Sequence, residues 1–131
     1  MNKIRYSVDD GKISWKKVAD ETVVLNIDSG FYYVLDEVAS SIWQMTIDHR
    51  DTDHIVSKVT QKYDVSLAAC QKDILNFLKN LEDRGLIKKS QKKIDPKQTK
   101  IGIVSVYNKK TKYKKPILRQ YEQLHEVGVG S

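Results

Sequence analysis

The sequence predicts an α+β domain of the winged helix-turn-helix type, in which antiparallel strands precede three helices and an extended C-terminal tail follows. A hairpin pattern rich in β-branched and aromatic residues occupies 22–35. Three stretches with apolar residues at helical spacing follow between 36 and 85. The composition then becomes strongly basic. A chain of 131 residues has room for one such domain and a tail.

The strands are expected first, after a polar and frayed start of about a dozen residues. Ile13–Val18 has the composition of a short strand. Thr22–Ile27 and Phe31–Leu35 form the clearest hairpin, because Asp28–Gly30 between them has turn chemistry and glycine tolerates the positive φ of a tight turn.

Three helices are expected next. Asp36 caps the first helix, Thr52 or Asp53 begins the second, and Ser66 caps the third. Gly85 ends the third helix in the left-handed conformation. The apolar stripe of this helix is predicted to face the core and comprises Leu67, Cys70, Ile74, Phe77, Leu78 and Leu81.

The charge divides the chain into parts. Residues 1–87 carry eleven Lys/Arg and fourteen Asp/Glu, a net charge of −3, whereas residues 88–119 carry twelve Lys/Arg and one Asp, a net charge of +11. We therefore expect a folded domain at 1–88, a basic linker at 89–112 and a distinct segment at 113–131. Within the linker, residues 101–107 have the composition of a strand.

Several function classes find no support. No apolar run is long enough to span a bilayer, so we expect no membrane partner. The single cysteine, Cys70, excludes an intrachain disulfide, favours a cytoplasmic location and is expected to be a small buried hydrophobe. His49, His54 and His125 lack metal-ligand spacing, and no nucleophile elbow or glycine-rich cofactor loop occurs. We expect no enzyme activity, no metal and no cofactor.

More than half of the chain resembles the PqqD-like family, the peptide-recognition elements of ribosomal peptide-modification clusters. The resemblance is carried by a pattern of positions across 15–87: Trp15, Asp20–Glu21, Val23–Asn26, Gly30–Asp36, Ala39, Ile42–Trp43, Ile55–Val56, Tyr63–Ser66, Asp73, Phe77–Leu78, Leu81 and Gly85–Ile87.

The tail adds a second resemblance, to the leader of a lasso-peptide precursor. Its motif is Tyr-x-x-Pro-x-Leu, formed by Tyr113, Pro116 and Leu118. In such systems the stand-alone PqqD-like protein binds the leader and delivers the precursor to a cysteine-protease leader peptidase and a macrolactam cyclase. Leaders of this kind carry Thr two places before the cleavage point, and residues 126–130 contain no Thr, which places cleavage of this tail in doubt.

The resemblance implies that a peptide adds as a strand to the edge of Phe31–Leu35, with the third helix as the opposite wall of the cleft. Alternation puts Phe31, Tyr33 and Leu35 on one face, which is expected to be core, and Tyr32 and Val34 on the other. Four residues of the third helix are candidates to line the cleft, with a solvated helix face as the equal alternative: Lys72, Leu75, Asn76 and Lys79.

Two functions stay open at this level. The favoured one is non-catalytic leader recognition, with the tail bound either within its own chain or by exchange between two chains. The alternative is a winged-helix DNA-binding regulator with a basic tail, although the third helix has no net charge. The abrupt change in composition after Lys88 favours a fusion of a domain with a leader.

Overall fold

The computed structural model describes residues 4–90 and 111–122. Within these ranges eleven elements follow one another along the chain: β1 (Arg5–Ser7), β2 (Ile13–Val18), β3 (Glu21–Asn26), β4 (Phe31–Leu35), α1 (Glu37–Ile47), α2 (Thr52–Lys62), β5 (Tyr63–Asp64), α3 (Leu67–Asp83), β6 (Lys88–Ser90), β7 (Thr111–Lys112) and β8 (Leu118–Glu122). The predicted α+β class is confirmed.

The main sheet is antiparallel and has the strand order β2-β3-β4-β8. The turn between β3 and β4 is fixed by Asn26, whose side-chain oxygen accepts from the backbone N–H groups of Asp28 and Ser29 at 3.0 and 3.2 Å. Gly30 then adopts a φ of 80°, which a side chain would disfavour. This hairpin leaves the outer edge of β4 to be covered by β8.

Each helix begins at a side-chain cap. Asp36, Asp51 and Ser66 accept hydrogen bonds from backbone N–H groups three residues later, at 2.8, 2.8 and 3.2 Å. Gly85, with a φ of 74°, follows the end of α3. The predicted caps of α1 and α3 are thus confirmed, and α2 begins at Thr52 after its cap at Asp51.

A single core joins the three helices to one face of the sheet. Its largest fully buried side chains include Trp43 from α1, Ile55 from α2, Leu78 and Leu81 from α3, and Leu35 from β4. Burying each such side chain contributes about 1.5–3 kcal/mol to folding. The core therefore fixes α3 opposite β4 and defines a cleft between them.

The structure corrects the expectation of a frayed N-terminus. Arg5–Ser7 forms β1, which pairs antiparallel with β6 at Lys88–Ser90. Tyr6 is buried, and Arg5 lies 3.7 Å from Asp51. The sequence of 88–90 is basic and has no apolar pattern, so it has the composition of a linker. The strand pair buries only one apolar side chain, which belongs to β1, and therefore leaves little signal in the sequence. Residues 88–90 thus take part in the described fold.

Two further expectations concern the ends of elements. Leu67 is 63% exposed and lies outside the core, although it continues the apolar stripe of α3, because the helix begins there beyond the reach of the packing partners. Thr111 and Lys112 form β7 rather than the end of a linker. The strand expected at 101–107 lies outside the described residues.

The contrast between two leucines of α3 gives a test of the core. Leu81→Ala removes a fully buried side chain and should lower the free energy of unfolding by about 2–5 kcal/mol. Leu67→Ala makes the same chemical change at an exposed position and should alter it by less than about 0.5 kcal/mol. Urea denaturation measures both, and equal effects would contradict the packing of α3.

Candidate functional site

The outer edge of β4 is occupied by a segment from the C-terminal part of the same chain. We call residues 111–122 the docked segment. Its strand β8 runs antiparallel to β4 over five residue pairs, from Leu35↔Leu118 to Phe31↔Glu122. The backbone groups that an edge strand exposes are thereby paired.

Side chains reinforce this pairing on both faces of the sheet. Tyr33 and Leu35 are buried, as the alternation predicts, and Phe31 packs against the core from a partly buried position. On the other face Tyr32 stacks on Tyr121, with ring centroids 5.1 Å apart and planes inclined by 19°. Such aromatic cross-strand pairs strengthen a two-strand contact.

The other end of the docked segment is held by β5. Thr111 and Lys112 pair parallel with Tyr63 and Asp64. Tyr113 then packs edge-on against the ring of Tyr63, with centroids 6.3 Å apart. The docked segment therefore contacts two separate strands, one at each end.

Asp73 on α3 receives the polar end of Tyr113. The Tyr113 hydroxyl donates to Asp73 Oδ2 at 2.9 Å, and Lys115 Nζ lies 3.8 Å from Asp73 Oδ1. The Asp73 side chain is only 13% exposed, whereas Lys115 is 71% exposed. A hydrogen bond to a shielded carboxylate is strong, and an exposed ion pair contributes little. The contact with Tyr113 therefore dominates at this position.

The middle of the docked segment crosses the cleft between α3 and β4. Pro116 is buried and Leu118 packs against the core, whereas Ile117 is 43% exposed. A groove of about 240 Å³ separates residues 115–118 from α3. Four side chains of the helix and its C-cap Arg84 line this groove, the four being Asp73, Asn76, Phe77 and Asn80.

Asp36 ties the docked segment to the start of α1. Its carboxylate caps the helix and also accepts a hydrogen bond from the backbone N–H of Ile117. Burial raises the pKa of Asp36, while these hydrogen bonds and the nearby Lys114 and Arg119 act in the opposite direction. The cationic side chains of the docked segment thus meet carboxylates on the domain.

The α3 residues named from the sequence are placed unequally. Asn76 lines the groove, whereas Lys72, Leu75 and Lys79 are not among its lining residues. Asp73, Asn80 and Arg84 were missed. These three residues recur along the helix at spacings of seven and four and lie beside its apolar stripe. A row in that position borders the core on one side and can face a ligand on the other, so the spacing could have identified them.

Cys70 lies beside the docked segment's partner Asp73 but is not activated as a nucleophile. Burial and the nearby Asp73 raise the pKa of the Cys70 thiol to about 11, so it stays protonated at neutral pH. Cys70 is fully buried, as expected for a small hydrophobe. Across residues 4–90 and 111–122, no three His, Cys, Asp or Glu side chains are grouped to hold a metal ion. No helix in the described part is long and apolar enough to cross a membrane.

Fold and site together define a small α+β domain whose sheet is extended by an added strand. A family model described as coenzyme PQQ synthesis protein D (PqqD) matches residues 21–87, just over half of the chain. The chain therefore belongs to the PqqD family, as its sequence pattern predicts. No curated protein matches it in a search of whole sequences.

Two solved structures share the fold. One is TbiB1 in complex with the TbiA(beta) leader peptide, with a TM-score of 0.61 and 26% sequence identity; the match covers 66% of this chain and 99% of that one. The other is lasso peptide synthetase B1 complexed with the leader peptide, with a TM-score of 0.60 and 23% identity over 64% and 98% of the two chains. Both chains match almost over their full lengths.

Asp73→Ala tests whether Asp73 holds the docked segment. Losing a hydrogen bond to a charged acceptor costs about 1.5–3 kcal/mol, so amide hydrogen exchange in β8 should accelerate about tenfold to hundredfold. Asp83→Ala, at an exposed position near the end of the same helix, makes the same change and should leave the exchange of β8 unaltered. Equal protection in both variants would refute the role of Asp73.

The ionisation of Tyr113 provides a second test. Burial and the hydrogen bond to Asp73 hold the pKa of Tyr113 above its ordinary value of about 10. Docking is therefore at full strength below about pH 10 and weakens as the pH rises further, because the undocked tyrosine loses its proton first. We expect the Cζ carbon resonance of Tyr113, assigned with Tyr113→Phe, to titrate above that value in wild type.

The same titration in Asp73→Ala shows whether Asp73 is what raises the pKa of Tyr113. Removing the carboxylate should lower the midpoint of Tyr113 towards the ordinary tyrosine value, since both the hydrogen bond and the negative charge disappear. A wild-type midpoint at the ordinary value would show that Tyr113 is not seated as described.

Proposed function

We propose that this protein is a non-catalytic recognition protein for the leader of a ribosomally made precursor peptide of the lasso class. The observation that carries the proposal is the added strand β8, which pairs with β4 over five residues while Tyr113, Pro116 and Leu118 lie against the domain. The docked segment occupies the cleft as a leader would.

The mechanism of recognition is strand addition. Backbone pairing along β4 supplies affinity that depends little on sequence, and side chains that enter the cleft supply specificity. Tyr113 is read by the ring of Tyr63 and the carboxylate of Asp73. Pro116 restricts the free peptide before binding and lies in the stretch between β7 and β8, where no ladder N–H is needed.

Charge complementarity supports a basic leader. The docked segment carries Lys112, Lys114, Lys115 and Arg119 against Glu122. Asp36 and Asp73 lie on the domain side of the cleft, and Lys114, Lys115 and Arg119 act on one or other of them. Opposite charges speed association and disfavour acidic peptides at the same edge.

The structural relatives support the same assignment. TbiB1, at 26% identity, was solved with a leader peptide, and the lasso peptide synthetase B1 supports the fold alone. By this assignment the protein catalyses no reaction itself. It presents the bound precursor to a leader peptidase of the cysteine-protease class and to a macrolactam cyclase.

A DNA-binding regulator is not favoured. The helix that would enter a groove of DNA is α3, and with its C-cap Arg84 it carries three cations, Lys72, Lys79 and Arg84, against three carboxylates, Asp73, Glu82 and Asp83. One face of α3 is instead turned towards the docked segment. The basic residues concentrate in 88–119, beyond the helices.

The docked segment competes with a separate leader peptide for the same cleft. Ser90 and Thr111 are joined by twenty residues, and a tether of this length gives an effective concentration of around millimolar. A site with micromolar affinity is then nearly always filled by the tether. The same contact made between two chains would give an exchanged dimer.

The decisive experiment frees the cleft in the full chain. Tyr113→Ala with Leu118→Ala weakens the docked segment, and a fluorescent peptide copying residues 111–122 is then titrated by anisotropy. We expect a dissociation constant of about 1 μM or lower for the double variant and binding at least about tenfold weaker to wild type.

A second peptide with both alanine substitutions is the control and should not bind. Circular dichroism shows whether the double variant is folded. If the folded double variant fails to bind the peptide, leader recognition is refuted. Salt-sensitive binding of duplex DNA in place of the peptide would restore the regulator.

A further inference from the structure

A basic groove lies between α1 and α2, outside the peptide cleft. Its volume is about 430 Å³, and it is bordered by Lys17 from β2 and by residues of both helices. Three cationic side chains and one histidine border it at a spacing of four residues, along α2 and the turn before it: Arg50, His54, Lys58 and Lys62. The wall from α1 consists of Ser40, Ser41, Gln44 and Asp48, with Met45 and Val59 as apolar residues.

The charge of this groove is not neutralised within the described residues. Four Lys and Arg side chains border it, against the single carboxylate of Asp48, which Gln44 already contacts at 3.4 Å. The three ion pairs found in 4–90 and 111–122 involve Arg5, Lys12 and Lys115, so none joins a cation of the groove to a carboxylate. Lys58 and Lys62 lie one helical turn apart, an arrangement that destabilises a helix.

His54 lies within this concentration of positive charge. Burial, with Arg50 and Lys58, lowers the pKa of His54, and Asp51 acts in the opposite direction. Asp51 itself caps α2 and lies 3.7 Å from Arg5. The cations beside His54 therefore disfavour a further positive charge in the groove.

The leader itself does not suit this groove. The docked segment has four cationic side chains and one anionic side chain, and like charges would repel it. Nor does the chain hold an acidic stretch that could fill the groove. Outside the described residues its only acidic side chains are Asp95 and Glu126.

We propose that the groove between α1 and α2 docks an acidic segment of a second protein while the leader occupies the cleft at β4. Glutamate or aspartate side chains of the partner would pair with Lys17, Arg50 and Lys58, and an apolar side chain would rest on Met45, which adapts its shape readily. A nucleic acid offers no aliphatic side chain for Met45 and Val59, and duplex DNA is an outcome that the test below distinguishes.

The test uses the full chain and a fluorescein-labelled peptide of repeating Glu-Glu-Leu units, with Gln-Gln-Leu as the uncharged control. We expect the acidic peptide to bind and to shift amide resonances of Ser41, Gln44 and Lys58. Lys17→Gln with Lys58→Gln should weaken binding about tenfold. The matched pair Lys16→Gln with Lys72→Gln, on the same strand and on α3, should change it less than about twofold.

The basic tail is unchanged in both pairs of variants. Comparing the two pairs therefore separates binding by the groove from binding by the tail. Equal weakening in the two variants, or no binding of the acidic peptide, would overturn the proposal. If duplex DNA binds more tightly than the acidic peptide, and Lys17→Gln with Lys58→Gln abolishes that binding, the proposal is overturned in favour of a nucleic acid.

Binding of the peptide copying residues 111–122, measured in the Tyr113→Ala and Leu118→Ala background, should be unchanged by the groove variants. Either proposal can therefore fail without the other.

Discussion

The outer edge of β4, which the hairpin of β3 and β4 leaves without a partner, is the constraint on which the rest of the site depends. A strand at the edge of a sheet exposes N–H and C=O groups that need partners, and here β8 provides them. The core holds α3 opposite this edge, so a strand that adds to β4 must also pass Asp73 and Phe77. Pairing and side-chain recognition are thereby coupled in one cleft.

Much of the fold could be predicted because its signals are local. The turn at Asp28–Gly30 and the caps at Asp36 and Ser66 depend on neighbours a few residues away, and the structure has each of them. The pairing of β1 with β6 was missed since it joins residues more than eighty positions apart. Neither strand has an apolar pattern long enough to predict the partner.

The candidate site was predictable in its backbone and less so in its side chains. Strand alternation identifies the edge of β4, but the side of α3 that faces a peptide depends on how the helix rotates against the sheet. The row containing Asp73 and Asn80 faces the groove, and the row containing Lys72 and Lys79 does not. A rotation of one residue along a helix is about 100°, enough to exchange the two rows.

The edges of the main sheet differ in a way that bears on self-association. Over the described residues the sheet ends in β2 on one side and in β8 on the other. β2 carries Lys16 and Lys17, and charged side chains on an edge strand oppose its pairing with another molecule. If the docked segment leaves, the edge on the other side becomes Phe31–Leu35, which carries no charged side chain. The docked segment replaces that edge with one that carries Arg119 and Glu122, and so lowers the tendency of two molecules to pair through their sheets.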